Sequence, residues 1–161
     1  RIGGCGEVSI VDIDPAKHEL ARRLDFIPLD PGSPQFAAAL KSGFPITVEA
    51  CGIAQTREQA ISATLRAGQL LLIGNAANAW TIEPKTYSQI LRKELRILGA
   101  WNSKIAEDWV AVLDHAGRNL ELKALISHEA ELAQGAQMFD QMTGGKDFFC
   151  KVIFNCQRGA L

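Results

Sequence analysis

Leu70-Leu71-Leu72-Ile73-Gly74 is the stretch on which the fold turns: four apolar residues without alternation, stopped by a glycine. A strand with one wet face alternates apolar and polar residues, whereas a parallel strand covered on both faces reads as a continuous apolar run. The segments on either side also end in glycine. Pro45-Ile46-Thr47-Val48-Glu49-Ala50-Cys51-Gly52 reads as a strand ending in glycine, Thr56 to Arg66 as the helix after it, and Gly68 as the residue that closes that helix. Beyond a polar loop carrying Trp80, Tyr87 to Arg92 reads as helix and Leu95 to Leu98, followed by Gly99, as strand.

Upstream, Val8 to Asp12 is a short β-branched strand, and Asp14-Pro15 supplies a helix N-cap followed by proline in the first turn. Ala16, Leu20, Ala21 and Leu24 then fall at helical spacing and form an apolar stripe. Phe26-Ile27-Pro28-Leu29 reads as an edge strand, because proline is tolerated at an edge and not in a sheet centre. Ser33 to Ser42 is a helix with Phe36, Ala37 and Leu40 expected inward. Downstream come a helix from Ala106 to Ala116, a strand from Leu125 to His128, a helix from Glu131 to Met142 and a strand from Phe148 to Cys156. Strands and helices alternate, and glycines close the strands. This is the rhythm of an α/β protein with a Rossmann-type, doubly wound parallel sheet, whose ligands lie beyond the carboxyl ends of the strands.

The glycine cluster at Gly3 to Gly6 is not the phosphate loop of that fold. Such a loop needs a strand before it and a helix after it, so that free helical N–H groups face the pyrophosphate. Here the strand follows the glycines. They read as the turn into the second strand, and the first strand is expected upstream of Arg1, leaving Val8–Asp12 and Ile46–Ala50 each with an unpaired inner edge.

At 161 residues the chain has the length for one core of ordinary size, and its net charge of -1 with scattered basic residues leaves no footprint for nucleic acid or an anionic membrane. Cys5, Cys51, Cys150 and Cys156 lack metal-binding spacing, and His18, His115 and His128 have no partner at ligand spacing. No metal site is expected within the chain. With no secretory leader pattern and no run of about 18 apolar residues, the expectation is a soluble protein of a reducing, cytoplasmic compartment.

Chemistry concentrates at the strand ends. An acid after the second strand of such a sheet is placed to accept hydrogen bonds from both adenosine ribose hydroxyls, and Asp12 stands there. Its charge repels a 2′-phosphate, which favours NAD over NADP. Lys17, one turn into the next helix, reaches toward the same ribose. Gly52 suits the adenosine side of a flat cofactor and Gly74 the nicotinamide side. The plainer alternatives are that Asp12 merely ends a strand or supports the Asp14 cap, that Lys17 is a solvated helix lysine, and that the glycines serve plain turns.

Four blocks carry a family resemblance: Val-Asp-Ile-Asp-Pro-Ala-Lys at 11 to 17, Glu-Ala-Cys-Gly at 49 to 52, Leu-Leu-Leu-Ile-Gly at 70 to 74, and Ile-Leu-Arg-Lys-Glu-Leu-Arg-Ile-Leu-Gly-Ala-Trp-Asn at 90 to 102. Through them the chain resembles the cofactor-binding half of the zinc-type, medium-chain alcohol and polyol dehydrogenases. The last block is most similar to galactitol-1-phosphate 5-dehydrogenases and sorbitol dehydrogenases.

The resemblance implies that Asp12 and Lys17 meet the adenosine ribose, that Cys51 and Gly52 line the cofactor, that Ile73, Gly74 and Asn75 pass the nicotinamide, and that Trp101 and Asn102 lie near nicotinamide and substrate. Asn75 stands where an apolar residue is common, and Asn102 where sorbitol dehydrogenases often carry arginine. Lys151 is matched to a segment near the pyrophosphate. The same resemblance implies a partial dinucleotide-binding domain over residues 1–124 and a return to the catalytic domain over 125–161. It places the phosphate loop, proton relay and zinc ligands upstream of Arg1, so that this chain alone is inactive and holds no catalytic residue or metal ligand. The full enzyme is expected to be a homodimer or homotetramer transferring hydride between a polyol, polyol phosphate or alcohol and NAD. Two rivals are a methyltransferase-like domain and a non-catalytic module that senses NAD or mediates association.

Overall fold

The structure, a computed structural model, describes residues 4–76, 78–118, 122–145 and 147–156. The chain divides into two units, Arg1–Asp30 with Lys104–Leu161, and Pro31–Ser103.

In the first unit, β1 (Ser9–Val11) pairs in parallel with β2 (Ile27–Leu29), Ser9 opposite Ile27 and Val11 opposite Leu29. The crossover is α1 (Pro15–Arg23), started as the sequence predicts: Asp14 accepts the Ala16 N–H at 2.8 Å, and Pro15 opens the first turn. Its apolar stripe buries Ala21 while α1 lies on β2, whose Leu29 is also buried. Toward the C-terminus a π-helical turn, Ile105–Trp109, runs into α5 (Val110–Arg118). A second parallel pair follows, β6 (Ile126–Glu131) with β7 (Lys151–Asn155), connected through α6 (Gly135–Gly144). α6 begins later than the sequence suggests because Glu131 and Gln134 form a capping box around a single tight turn, Leu132–Gln134, ahead of it.

The second unit carries α2 (Pro34–Ser42), β3 (Phe44–Glu49), α3 (Ala54–Ala63), β4 (Thr64–Leu72), α4 (Pro84–Arg92) and β5 (Arg96–Gly99). The three strands form one parallel sheet in the order β3-β4-β5. α3 packs on β3 and β4, and α2 and α4 pack on α3. Ile61, Leu70 and Thr64 are fully buried at this junction. The Thr64 hydroxyl satisfies itself against the Ala60 carbonyl at 2.6 Å and shares a 2.7 Å bond with Thr47. Lys93 closes the C-terminus of α3 by donating to the carbonyls of Ile61, Ser62 and Thr64 at 3.2, 2.7 and 2.9 Å. A cation there complements the helix dipole. Burial pushes the Lys93 ammonium below its ordinary pKa.

Three expectations are corrected. The helix over Thr56 to Arg66 ends at Ala63, and Gly68 lies inside β4 rather than closing it. Between the pairs Phe44–Thr64 and Ile46–Gln69, β3 advances by two residues and β4 by five, so β4 bulges. Gly68 sits buried in that bulge, where a Cβ would come within 2.8 Å of the Leu65 and Pro45 carbonyl oxygens. Of the three residues expected inward on α2, Phe36 is buried, Leu40 is half-buried and Ala37 is exposed, because α2 leans on α3 through a narrow face. Of the run expected to be covered on both faces, Leu70 is buried, Leu71 and Leu72 are half-buried and Ile73 is exposed. In β3, Thr47 and Glu49 face α3, while Ile46 and Val48, pointing the other way, are each 54% exposed.

β1 is paired through one edge, to β2, and β3 through one edge, to β4, among the described residues. No helix among them is long and apolar enough to cross a membrane.

Candidate cofactor-binding site

The first unit presents Asp12 immediately after β1. Its amide N–H closes the ladder on the Leu29 carbonyl, which fixes where the side chain emerges. Oδ1 accepts the Asp14 N–H at 3.0 Å and Oδ2 accepts Lys17 Nζ at 3.0 Å. His18 Nε2 donates to the Asp12 carbonyl oxygen at 2.7 Å, holding the start of α1 to the end of β1. Partial burial pushes the Asp12 carboxyl up, but the Asp14 and Ile13 amides and the Lys17 ammonium outweigh it, and Asp12 titrates below its ordinary value. An ionised carboxylate offers about four lone-pair sites. Asp14 and Lys17 each take one, on different oxygens, and the side chain remains 24% exposed. A carboxylate with exposed acceptor capacity suits the hydroxyls of a vicinal diol.

The second unit brings together the ends of β3 and β4. Glu49 is the last residue of β3 and is 2% exposed. Its Oε1 accepts the Cys51 N–H at 2.9 Å, the Gly52 N–H at 2.7 Å and the Thr56 hydroxyl at 2.7 Å. Its main-chain oxygen accepts the N–H groups of Ile73 and Gly74 at 2.9 and 3.0 Å. Gly52 has φ of 77°, and a Cβ on it would run into the backbone of Asn75. A Cβ on Gly74 would strike the Gly52 nitrogen and lie 2.7 Å from Glu49 Oε2. Only glycine allows the two turns this approach. Arg57, in the first half of α3 and 7% exposed, donates from Nη2 to the Gly52 carbonyl at 2.5 Å and lies 5.5 Å from the centre of the Trp80 ring. Glu49 Oε2 and Trp80 Nε1 are buried without a hydrogen-bond partner among the described residues.

The nine residues singled out from sequence thus fall in three groups. Asp12 and Lys17 form an ion pair. Cys51, Gly52, Ile73, Gly74 and Asn75 form one pair of touching turns, with Ile73, Asn75 and the Cys51 residue exposed at its rim. Trp101 and Asn102 follow β5 as exposed residues, Trp101 at 76%. Lys151 opens β7 and is exposed. His128 stacks on Phe149 at 4.2 Å between centroids and bonds Ser127 at 3.0 Å, a structural setting. Two clefts, of about 370 Å³ beside β6 and about 310 Å³ beside α6, contain none of the nine.

Glu49, Thr56, Arg57 and Trp80 were not among the residues singled out. Glu49 left a signal: an acid at the end of an apolar strand must find donors when buried. Arg57 left none, since an arginine on a helix reads as a solvated one.

Parallel strands joined by helices, with an acid after one strand and glycine turns at the ends of others, define a doubly wound nucleotide-binding protein of Rossmann type. The family model described as zinc-binding dehydrogenase matches residues 1–118, and the chain belongs to that family, as part of its cofactor-binding half. It is 24% identical over 149 residues to an L-threonine 3-dehydrogenase of Anaeromyxobacter sp. (strain K), covering 89% of this chain and 42% of that protein. Galactitol-1-phosphate dehydrogenase of Escherichia coli superimposes with a TM-score of 0.79 at 26% identity, over 92% of this chain and 46% of that one. A protein of Sinorhizobium meliloti 1021 solved with NADP bound superimposes with a TM-score of 0.82 at 22% identity, over 97% and 47%. The chain therefore spans under half the length of these relatives. Membership in the family removes the methyltransferase-like reading.

Among the described residues no group of three or more His, Cys, Asp or Glu side chains is placed to hold a metal ion.

Proposed function

We propose that this chain is the NAD-binding portion of an enzyme that transfers hydride between NAD and a small polyol, polyol phosphate or alcohol. The observation that carries the reading is Asp12, held ionised at the end of β1 with part of its carboxylate exposed. In this reading Asp12 binds the two adenosine ribose hydroxyls, Lys17 steadies the carboxylate and meets the same sugar, and the Gly52 and Gly74 turns lie along the cofactor toward the nicotinamide. Trp101 and Asn102 border the substrate end, and Lys151 reaches the pyrophosphate. Residues 1–124 are the cofactor domain and 125–161 the return to a catalytic domain. The phosphate loop, zinc ligands and proton relay belong to residues upstream of Arg1, and the assembled enzyme is a cytoplasmic homodimer or homotetramer.

Steady-state kinetics of the full-length protein with both cofactors test the reading. NAD is preferred, and Asp12→Gly erodes the preference by about 1 to 3 kcal/mol, the worth of a charged hydrogen bond. Equal or better use of NADP by the unaltered protein refutes the assignment of Asp12. The 161-residue chain by itself shows no dehydrogenase activity in this reading. Zinc-dependent polyol oxidation by material of verified mass contradicts that.

A further inference from the structure

We propose that Glu49 and Arg57 are positioning residues for the nicotinamide cofactor, which grip Gly52 from both sides and so fix the two turns without touching the cofactor themselves. The inference rests on the cofactor reading given above and names the residues that make its site rigid.

Gly52 is held at both polar ends of its backbone by opposite charges. Its N–H goes to the Glu49 carboxylate at 2.7 Å and its carbonyl to the Arg57 guanidinium at 2.5 Å. Each charge matches the partial charge of the group it meets. Glu49 and Arg57 are 2% and 7% exposed, and among the described residues neither is in an ion pair. Burying an unpaired charge is costly unless hydrogen bonds replace its water. Here Glu49 Oε1 takes the Cys51 and Gly52 amides of the β3 turn and the Thr56 hydroxyl of α3, and Arg57 donates to the Gly52 carbonyl. Glu49 binds the β3 turn with its side chain, through Cys51 and Gly52, and the β4 turn with its main-chain oxygen, through Ile73 and Gly74. Arg57 links the β3 turn to the loop after β4 by lying against Trp80. The glycine contacts leave the turns no room to slide, since a Cβ at either position would meet the other turn. Five of the nine candidate residues therefore keep or lose their positions together. A displacement of the grip is read out as lost cofactor affinity.

The experiment is titration of the full-length protein with NADH, followed by nucleotide fluorescence, alongside thermal unfolding and kcat and KM. Glu49→Gln is isosteric and removes the charge; Arg57→Met removes the guanidinium while keeping its stem; Arg57→Lys restores the charge. Each of the first two raises the Kd for NADH by about 10- to 100-fold, as expected for a lost charged hydrogen bond. Arg57→Lys recovers part of that loss. The double variant Glu49→Gln/Arg57→Met is no weaker than its weaker parent, because both groups act on one turn. KM for the cofactor rises more than kcat falls, and the ratio of NAD to NADP use stays as it was, since the ribose end is untouched. Should Arg57→Met not fold, Glu49→Gln decides alone. A wild-type protein that binds NADH, with variants that bind as tightly and only melt earlier, overturns the inference and leaves the cofactor reading standing. A wild-type protein that binds no NADH overturns both.

Discussion

Two acids close two parallel strands in this chain, Asp12 just after β1 and Glu49 at the end of β3, and their surroundings give them opposite roles. Asp12 is only partly covered, accepts one amide and one lysine, and keeps acceptor capacity facing outward. Glu49 is sealed under α3, with one oxygen serving three donors and the other pressed over Gly74. One is free to meet a ligand; the other holds the backbone on which a ligand would rest. Residue type and strand position are nearly the same in the two cases, so what separates them is the element packed above.

The sharpest way to break this contrast is to remove each acid and compare stability. Glu49→Ala leaves the Cys51 and Gly52 amides and the Thr56 hydroxyl without their acceptor in a buried place, and should cost about 3 kcal/mol or more in urea unfolding. A cost near zero would mean that the Glu49 bonds are replaced by water and that the turn is not sealed. Gly52→Ala comes next, at about 2 kcal/mol, because φ of 77° and the Asn75 backbone both oppose a side chain there. Asp14→Ala tests the neighbourhood of the exposed acid and should cost about 1 kcal/mol, the worth of an N-cap.

The smallest effects belong to the exposed pair itself. Lys17→Met should change stability by less than about 1 kcal/mol, and by less still in high salt, since the lysine side chain is 45% exposed. Asp12 adds a pH signature. Its folded pKa lies below its ordinary value, so its contribution is present above the ordinary carboxylate range and is lost as the pH falls through the folded value. Acid titration of the unaltered protein and of Asp12→Asn should therefore diverge above that range and converge at low pH. A divergence that grows on acidification would show the sign to be wrong.

Much of the architecture is legible in the order of residues. Asp14-Pro15 marks a helix start, and its cap forms as expected; Ser33 starts α2 in the same way, accepting the Phe36 N–H at 3.1 Å. The apolar run at 70 to 73 marks a strand, and the glycines at 52 and 74 mark its end and that of its neighbour. Gly68 misleads because a glycine after a helix and a glycine in a bulge have the same local signature, and only the ladder with β3 distinguishes them. The alternation of Ile46-Thr47-Val48-Glu49 matches what is seen in β3, where Thr47 and Glu49 face α3 and Ile46 and Val48 lie exposed on the other side.

What the sequence by itself determined is what local chemistry controls: strand and helix order, the Asp14 cap, the glycine turns, and an acid immediately after β1. These follow from backbone propensity and hydrogen bonds a few residues apart, which short stretches encode directly. The tertiary structure alone decided which charges are buried. Arg57 meets the carbonyl of Gly52 and the ring of Trp80, 23 positions further along, only because α3 folds back over the strand ends. The same packing removes Glu49 from water, while Asp12 stays partly exposed, and solvation, which depends on everything a residue touches, is what distinguishes the two carboxylates.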